Sequence, residues 1–229
     1  MARTYLILGP SGRGKSTSFE NLDKATTLII NSERKALPFK NSSSFIQVRP
    51  KTVREVFETL NKYKNSDKLK TLVIDSFSSI ADLIVHEMRV MYSGFDIWQK
   101  NSEKIYEFFK IIKEYNDNNI DVIVTGHDET LEGDTGTVKR LKVKGKEWEG
   151  IVEKEFDIVL WASVTMIDET NASYQFITQT NGVFPAKSPA GMLPRSMYND
   201  MANILTLAHQ YDGVVKEEIV EKLEKIETI

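Results

Sequence analysis

Residues 9–16 read Gly-Pro-Ser-Gly-Arg-Gly-Lys-Ser and follow directly on the apolar run Tyr5-Leu6-Ile7-Leu8. This G-x-x-x-x-G-K-S/T pattern, set between a strand and a helix, restricts the chain to folds that gather backbone N–H groups into a nest at a helix N-terminus. Gly9, Gly12 and Gly14 let the backbone turn those groups inward. The stretch Gly9, Pro10, Ser11, Gly12, Arg13, Gly14, Lys15, Ser16 and Thr17 is therefore expected to bind nucleotide phosphates. Lys15 offers a point charge to the β- and γ-phosphates, and Ser16 a hydroxyl oxygen to Mg²⁺.

Beyond the loop, apolar runs alternate with helix-periodic segments, which is the pattern of a parallel sheet wrapped by crossover helices. Strands are expected over 4–8, 27–30, 44–48, 71–74, 121–125, 156–161 and 174–180. A helix should start at Lys15 and fade near Asn21. The capping box Thr52-Val53-Arg54-Glu55 opens a second, with Val53, Val56, Phe57 and Leu60 inward. Helices follow over 76–92, up to Gly94, and over 101–117, with Ile105, Phe108, Phe109 and Ile112 on one face. Residues 128–146 read as a mobile hairpin, followed by a short helix from Lys146 to Glu155. Two final helices are expected near 199–210 and 214–227, the latter with a stripe of Val215, Ile219, Leu223 and Ile226. The expected organisation is one α/β domain over 1–229, with a core at 3–195 and a helical appendage at 196–229.

Three residues fall at the carboxyl ends of expected strands, where open parallel sheets gather their ligands. Asp75 is placed to reach Mg²⁺ together with Ser16, and its bland alternative is a helix cap. Glu33 is placed to orient and deprotonate the water that attacks a γ-phosphate. His127 is placed to touch that phosphate and report its loss to the following loop. The chain has no cysteine and three scattered histidines, so disulfides and cysteine-based metal or redox chemistry are excluded. With no apolar stretch long enough to cross a bilayer, a cytoplasmic protein without membrane contact is expected.

The order of phosphate loop, strand-ending Glu33, Asp75 and His127, flexible loop and antiparallel edge resembles the RecA-type core of P-loop ATPases, over roughly residues 3–195. The chain also looks like small phage RecA-like proteins of AAA type, some of which act in single-strand annealing. The resemblance implies a mostly parallel central sheet flanked by helices with antiparallel edge strands, ATP and Mg²⁺ as cofactors, and head-to-tail homo-oligomers. It also implies a phage-encoded protein working in a bacterial host, with a replisome or single-strand-binding protein as a further partner. By the same resemblance Glu33 matches the water-activating glutamate, and His127 a phosphate sensor that is glutamine in RecA. Lys187 becomes a candidate for a cation inserted into a neighbour's nucleotide site.

The net charge of −3 provides no global attraction for a polyanion. Within it, however, Lys139, Arg140, Lys142, Lys144 and Lys146 place five cations in eight residues. Two readings stand for them: a solvated hairpin face with Leu141 and Val143 turned inward, or the single-stranded DNA loop that the resemblance implies. Trp98, Trp148 and Trp161 are candidates to stack on bases; of these Trp161 is expected in the core, and Trp148, beside this loop, is the one to test. Two rival functions remain, a nucleotide-switched helicase loader or adaptor and a small nucleotide kinase. The kinase would need an arginine-rich lid, and here Arg140 stands alone among lysines.

Overall fold

The computed structural model describes residues 1–133, 136–169 and 171–213. Its strands are β1 (Thr4–Leu8), β2 (Thr27–Asn31), β3 (Ile46–Val48), β4 (Thr71–Asp75), β5 (Asp121–Gly126), β6 (Asp128–Gly133), β7 (Gly136–Leu141), β8 (Ile158–Met166), β9 (Ala172–Ile177) and β10 (Ser196–Tyr198). Its named helices are α1 (Val53–Tyr63), α2 (Phe77–Met91) and α3 (Asp96–Asp117), and a further helix covers 201–213.

Eight strands form one sheet in the order β10-β9-β8-β1-β5-β4-β2-β3, while β6 and β7 pair as a separate hairpin. From β8 to β3 the neighbours run parallel, and β9 and β10 are antiparallel additions at one edge. This is the expected α/β architecture with antiparallel edge strands. The central strands are apolar throughout because both faces are covered. Leu6, Leu8, Leu72 and Ile74 face the layer of α1, α2 and α3. Tyr5, Ile7 and Val73 face the opposite layer, where Phe19, Leu22 and the helix at 201–213 pack through Met201, Ile204, Leu205 and Ala208.

Local chemistry sets the helix starts. The Thr52 side chain accepts from Glu55 N–H at 3.2 Å and the Glu55 carboxylate accepts from Lys51 N–H at 2.7 Å, opening α1. The α2 helix ends at Met91, where Tyr92 turns extended with its N–H still donating to Met88 O, and Gly94, at φ +62°, lies in the turn that follows, close to the expected break. The next helix, α3, then begins at Asp96, five residues before the expected start at 101, because Asp96 supplies an acidic first turn and Ile97 packs on the core.

Other expectations are corrected. The phosphate loop leads into one 3₁₀ turn, Ser16–Phe19, in place of a helix to Asn21. The run Ser16-Thr17-Ser18 competes for its own backbone, with Ser18 Oγ donating to Lys15 O at 2.6 Å. Asp23 then starts a turn by accepting from Ala25 N–H and Thr26 Oγ1. The helix expected over 146–155 is a set of turns ending in a 3₁₀ segment at Val152–Glu155. The boundary expected after 195 crosses no structural break, since β10 at Ser196–Tyr198 joins the main sheet. The last expected helix, 214–227, and its stripe lie outside the described residues.

Candidate functional site

The loop after β1 is folded around two glycines whose side-chain positions are filled. Gly9 has φ +146°, and a Cβ there would lie 2.9 Å from Ala162 O on β8. Gly14 has φ +82°, and its Cβ would collide with Asn199 Nδ2 and meet the Tyr174 ring at 2.9 Å. Asn199 Nδ2 donates to Gly14 O at 2.8 Å, tying the loop to the segment after β10. The Lys15 ammonium donates to Gly9 O at 2.6 Å and Pro10 O at 3.0 Å. Burial lowers the Lys15 pKa, against the pull of Asp75, Glu33 and Asp128.

Strand β4 delivers Asp75 opposite this loop, with β5 lying between β4 and β1. Ser16 Oγ donates to Asp75 Oδ2 at 2.8 Å, and Thr125 Oγ1 on β5 donates to Asp75 Oδ1 at 2.5 Å. Burial raises the Asp75 pKa, partly countered by these two bonds. Asp75 is therefore not the cap of α2: that role falls to Ser76, whose Oγ accepts from Ser79 N–H at 3.4 Å. The Asp75–Ser76 peptide is cis.

Glu33, two residues beyond β2, has both oxygens engaged. Its Oε1 meets His127 Nε2 at 2.8 Å and accepts from Ser76 Oγ at 3.0 Å, and its Oε2 pairs with Lys35 Nζ at 2.9 Å. Burial pushes this carboxyl up, but the bonds from Lys35, His127 and Ser76 outweigh it and bring its pKa to about 2. Glu33 and His127, expected as separate functions, thus form one hydrogen-bonded pair.

Lys15, Ser16, Asp75, Glu33 and His127 all line one cavity of about 500 Å³. Leu37, Pro38 and Tyr174 complete its wall and were missed in the sequence. Tyr174 sits on β9, and only the chain reversal that pairs β9 with β8 brings it to the loop, so no local pattern announces it. The donors suit a nucleotide with its metal. A buried ammonium rests on loop carbonyls, a hydroxyl and a carboxylate are already paired, and a ring stands beside a glycine that admits no Cβ.

The five cations are divided. Lys139 Nζ pairs with Asp128 at 3.1 Å, and Arg140 donates to Lys139 O at 2.9 Å and lines a different cavity with Lys154 and Lys187. Lys142, Lys144 and Lys146 are exposed, while Leu141 and Val143 between them are buried as the alternation predicts. The hairpin is pinned at its base: Lys142 N–H donates to His127 O at 2.8 Å and Leu141 N–H to Glu153 Oε1 at 2.7 Å. Lys187 is exposed and pairs through its backbone with Val159 on β8, outside the nucleotide cavity.

Trp148 corrects its expectation. It is buried, donates Nε1–H to Ser102 Oγ at 2.8 Å and packs on Phe109 at 5.4 Å between ring centroids, so it is a core residue and no base platform. Trp161 is half-buried on β8 and stacks on Phe184 at 4.9 Å.

A parallel sheet with a phosphate loop after its central strand, an acidic residue ending β4 and a hydroxyl between them defines a P-loop nucleotide-binding protein. The chain belongs to a family of AAA domains, whose model matches residues 1–190, and AAA domains are generally nucleotide-binding ATPases that use ATP with Mg²⁺. No curated protein matches the chain. Among the described residues no helix is long and apolar enough to cross a membrane.

Proposed function

We propose that this chain hydrolyses ATP with Mg²⁺, and that single-stranded DNA on the lysine ridge is coupled to the reaction. The observation that carries the reading is the meeting of Lys15, Ser16, Asp75, Glu33 and His127 at one cavity. Loop N–H groups and Lys15 hold the β- and γ-phosphates once the ammonium leaves Gly9 O and Pro10 O. Ser16 and Asp75, already joined by a hydrogen bond, would hold the metal. When bound, Mg²⁺ supplies positive charge to the phosphate oxygens as the terminal bond breaks.

Glu33 accepts a hydrogen bond from the attacking water and aims it. With a pKa of about 2 it acts as an orienting acceptor, and proton removal to it is a weak contribution. His127 holds Glu33 through its ring and Lys142 through its backbone carbonyl, so a shift of the ridge reaches the water-orienting carboxylate through a single residue. In this reading the subunits assemble head to tail and Lys187 places its charge in a neighbour's site. The setting is phage-type recombination, annealing or replication.

Two other functions are weighed against this one. A nucleotide kinase needs an arginine over the acceptor phosphate, and Arg140 faces another cavity. A nucleotide-switched loader or adaptor for a helicase would show weak hydrolysis indifferent to DNA, together with a stable complex with a replisome protein. The test is ATP binding and turnover with and without Mg²⁺, in wild type and Lys15→Ala. Metal-dependent turnover lost in Lys15→Ala supports hydrolysis, and phosphoryl transfer to a nucleoside monophosphate overturns it.

A further inference from the structure

The turn between α2 and α3 carries an unusual concentration of exposed apolar side chains. Phe95 is 78 % exposed, Val90 75 % and Met91 55 %, with Tyr92 and Trp98 near 40 %. A surface of this kind on a soluble fold marks a contact site. Phe95 and Trp98 line a cavity of about 580 Å³ together with Asn101, Lys146, Glu147 and Trp148. The Arg89 guanidinium lies 5.8 Å from the Trp98 ring centroid.

The lysine ridge runs into this cavity. Lys142, Lys144 and Lys146 are exposed, and none has an ion-pair partner among the described residues. Asn101, 1 % exposed, fixes the ridge by donating Nδ2–H to Lys144 O at 2.9 Å. Its Oδ1 is buried beneath the cavity without a hydrogen-bond partner.

We propose that this cavity is a base-stacking site for single-stranded DNA, with Phe95 and Trp98 as its platform and Lys144 and Lys146 on the flanking phosphates. The proposal rests on the DNA reading above and adds where the bases sit. Cations beside an open aromatic wall match both halves of a nucleotide, the phosphate and the π-face. An apolar protein segment would fill the wall and leave the unpaired ridge without a role. The aromatic that serves the basic loop is thus Trp98, and the buried Trp148 forms its backing.

The experiment measures binding of a labelled oligo(dT), and of an abasic oligomer of equal charge, to full-length wild type, Phe95→Ala and Trp98→Ala, with Mg²⁺ and ATP present. Each alanine variant is expected to lose roughly tenfold in affinity for oligo(dT) at an unchanged salt slope, and to bind the abasic oligomer as wild type does. Oligo(dT) should quench a tryptophan emission that is absent in Trp98→Phe. Phe95 is largely exposed, so its alanine variant keeps the test open if Trp98→Ala fails to fold. If wild type binds oligo(dT) and Phe95→Ala binds it equally, the platform is wrong while the DNA reading stands. If wild type binds neither oligomer at low salt, both fall. A loss of self-association in the variants with DNA affinity intact overturns the proposal in favour of a subunit contact.

Discussion

In the proposed reaction Asp75 would serve chemistry at a cost to stability. Asp75 is 6 % exposed and its pKa is raised by burial, so the fold carries a charge that its surroundings disfavour. Asp75→Asn keeps the shape and removes the charge. It is expected to hold or raise the thermal midpoint, by about 2–4 °C for each kcal/mol gained, and to lower ATP turnover at least about 100-fold. A lowered midpoint would show that the Ser16 and Thr125 bonds outweigh desolvation. Glu33 behaves in the opposite sense. Its pKa falls from an ordinary 4.5 to about 2, so its bonds stabilise the fold fully above pH 4.5, and that contribution is lost as pH falls from 4.5 through 2. Glu33→Gln removes the acid-sensitive contribution. Melting curves of wild type and variant should therefore differ most near neutrality and converge at the acid end, and turnover should fall roughly 100-fold in the variant. The placement of both residues was legible in the sequence because a carboxylate at or just past the end of an apolar run lands on the ligand edge of a parallel sheet. What the sequence hid was that His127 and Ser76, from separate segments of the chain, hold Glu33 alongside its neighbour Lys35.

At the scale of elements, strands were read more easily than helices. Runs such as Leu72-Val73-Ile74 and Val122-Ile123-Val124 are buried on both faces, which leaves few alternatives to a central strand. The turn after the phosphate loop was misread because Ser16-Thr17-Ser18 combines a motif that opens helices with residues that bond their own backbone. Trp148 was misread for another reason: its partners Ser102 and Phe109 come from α3, which the basic loop crosses only in the folded chain. Trp148→Ala is expected to cost about 3–5 kcal/mol in equilibrium denaturation, by opening a cavity against Phe109 and leaving Ser102 without its donor. A loss of DNA affinity with stability unchanged would return Trp148 to the surface.

For the whole molecule, the acidic balance of −3 makes the lysine ridge a local exception, so the proposed DNA contact should be dominated by a few phosphates. Replacing Lys142, Lys144 and Lys146 together by alanine is expected to reduce the slope of log affinity against log salt by roughly 2, and an unchanged slope would place the contact elsewhere. The sheet order explains why the phosphate loop, Asp75 and Thr125 meet, since β1, β5 and β4 end side by side. It also explains why Tyr174 and Asn199 escaped notice: one lies on β9 and the other just after β10, both brought to the loop by the antiparallel strands added at that edge. The central claim is that hydrolysis at this edge is coupled to DNA through His127 and the ridge. Steady-state ATP hydrolysis with and without single-stranded DNA across a salt series, with Lys15→Ala as the blank, tests it most directly. The account predicts stimulation that fades as salt rises, and turnover indifferent to DNA at every salt concentration would contradict it.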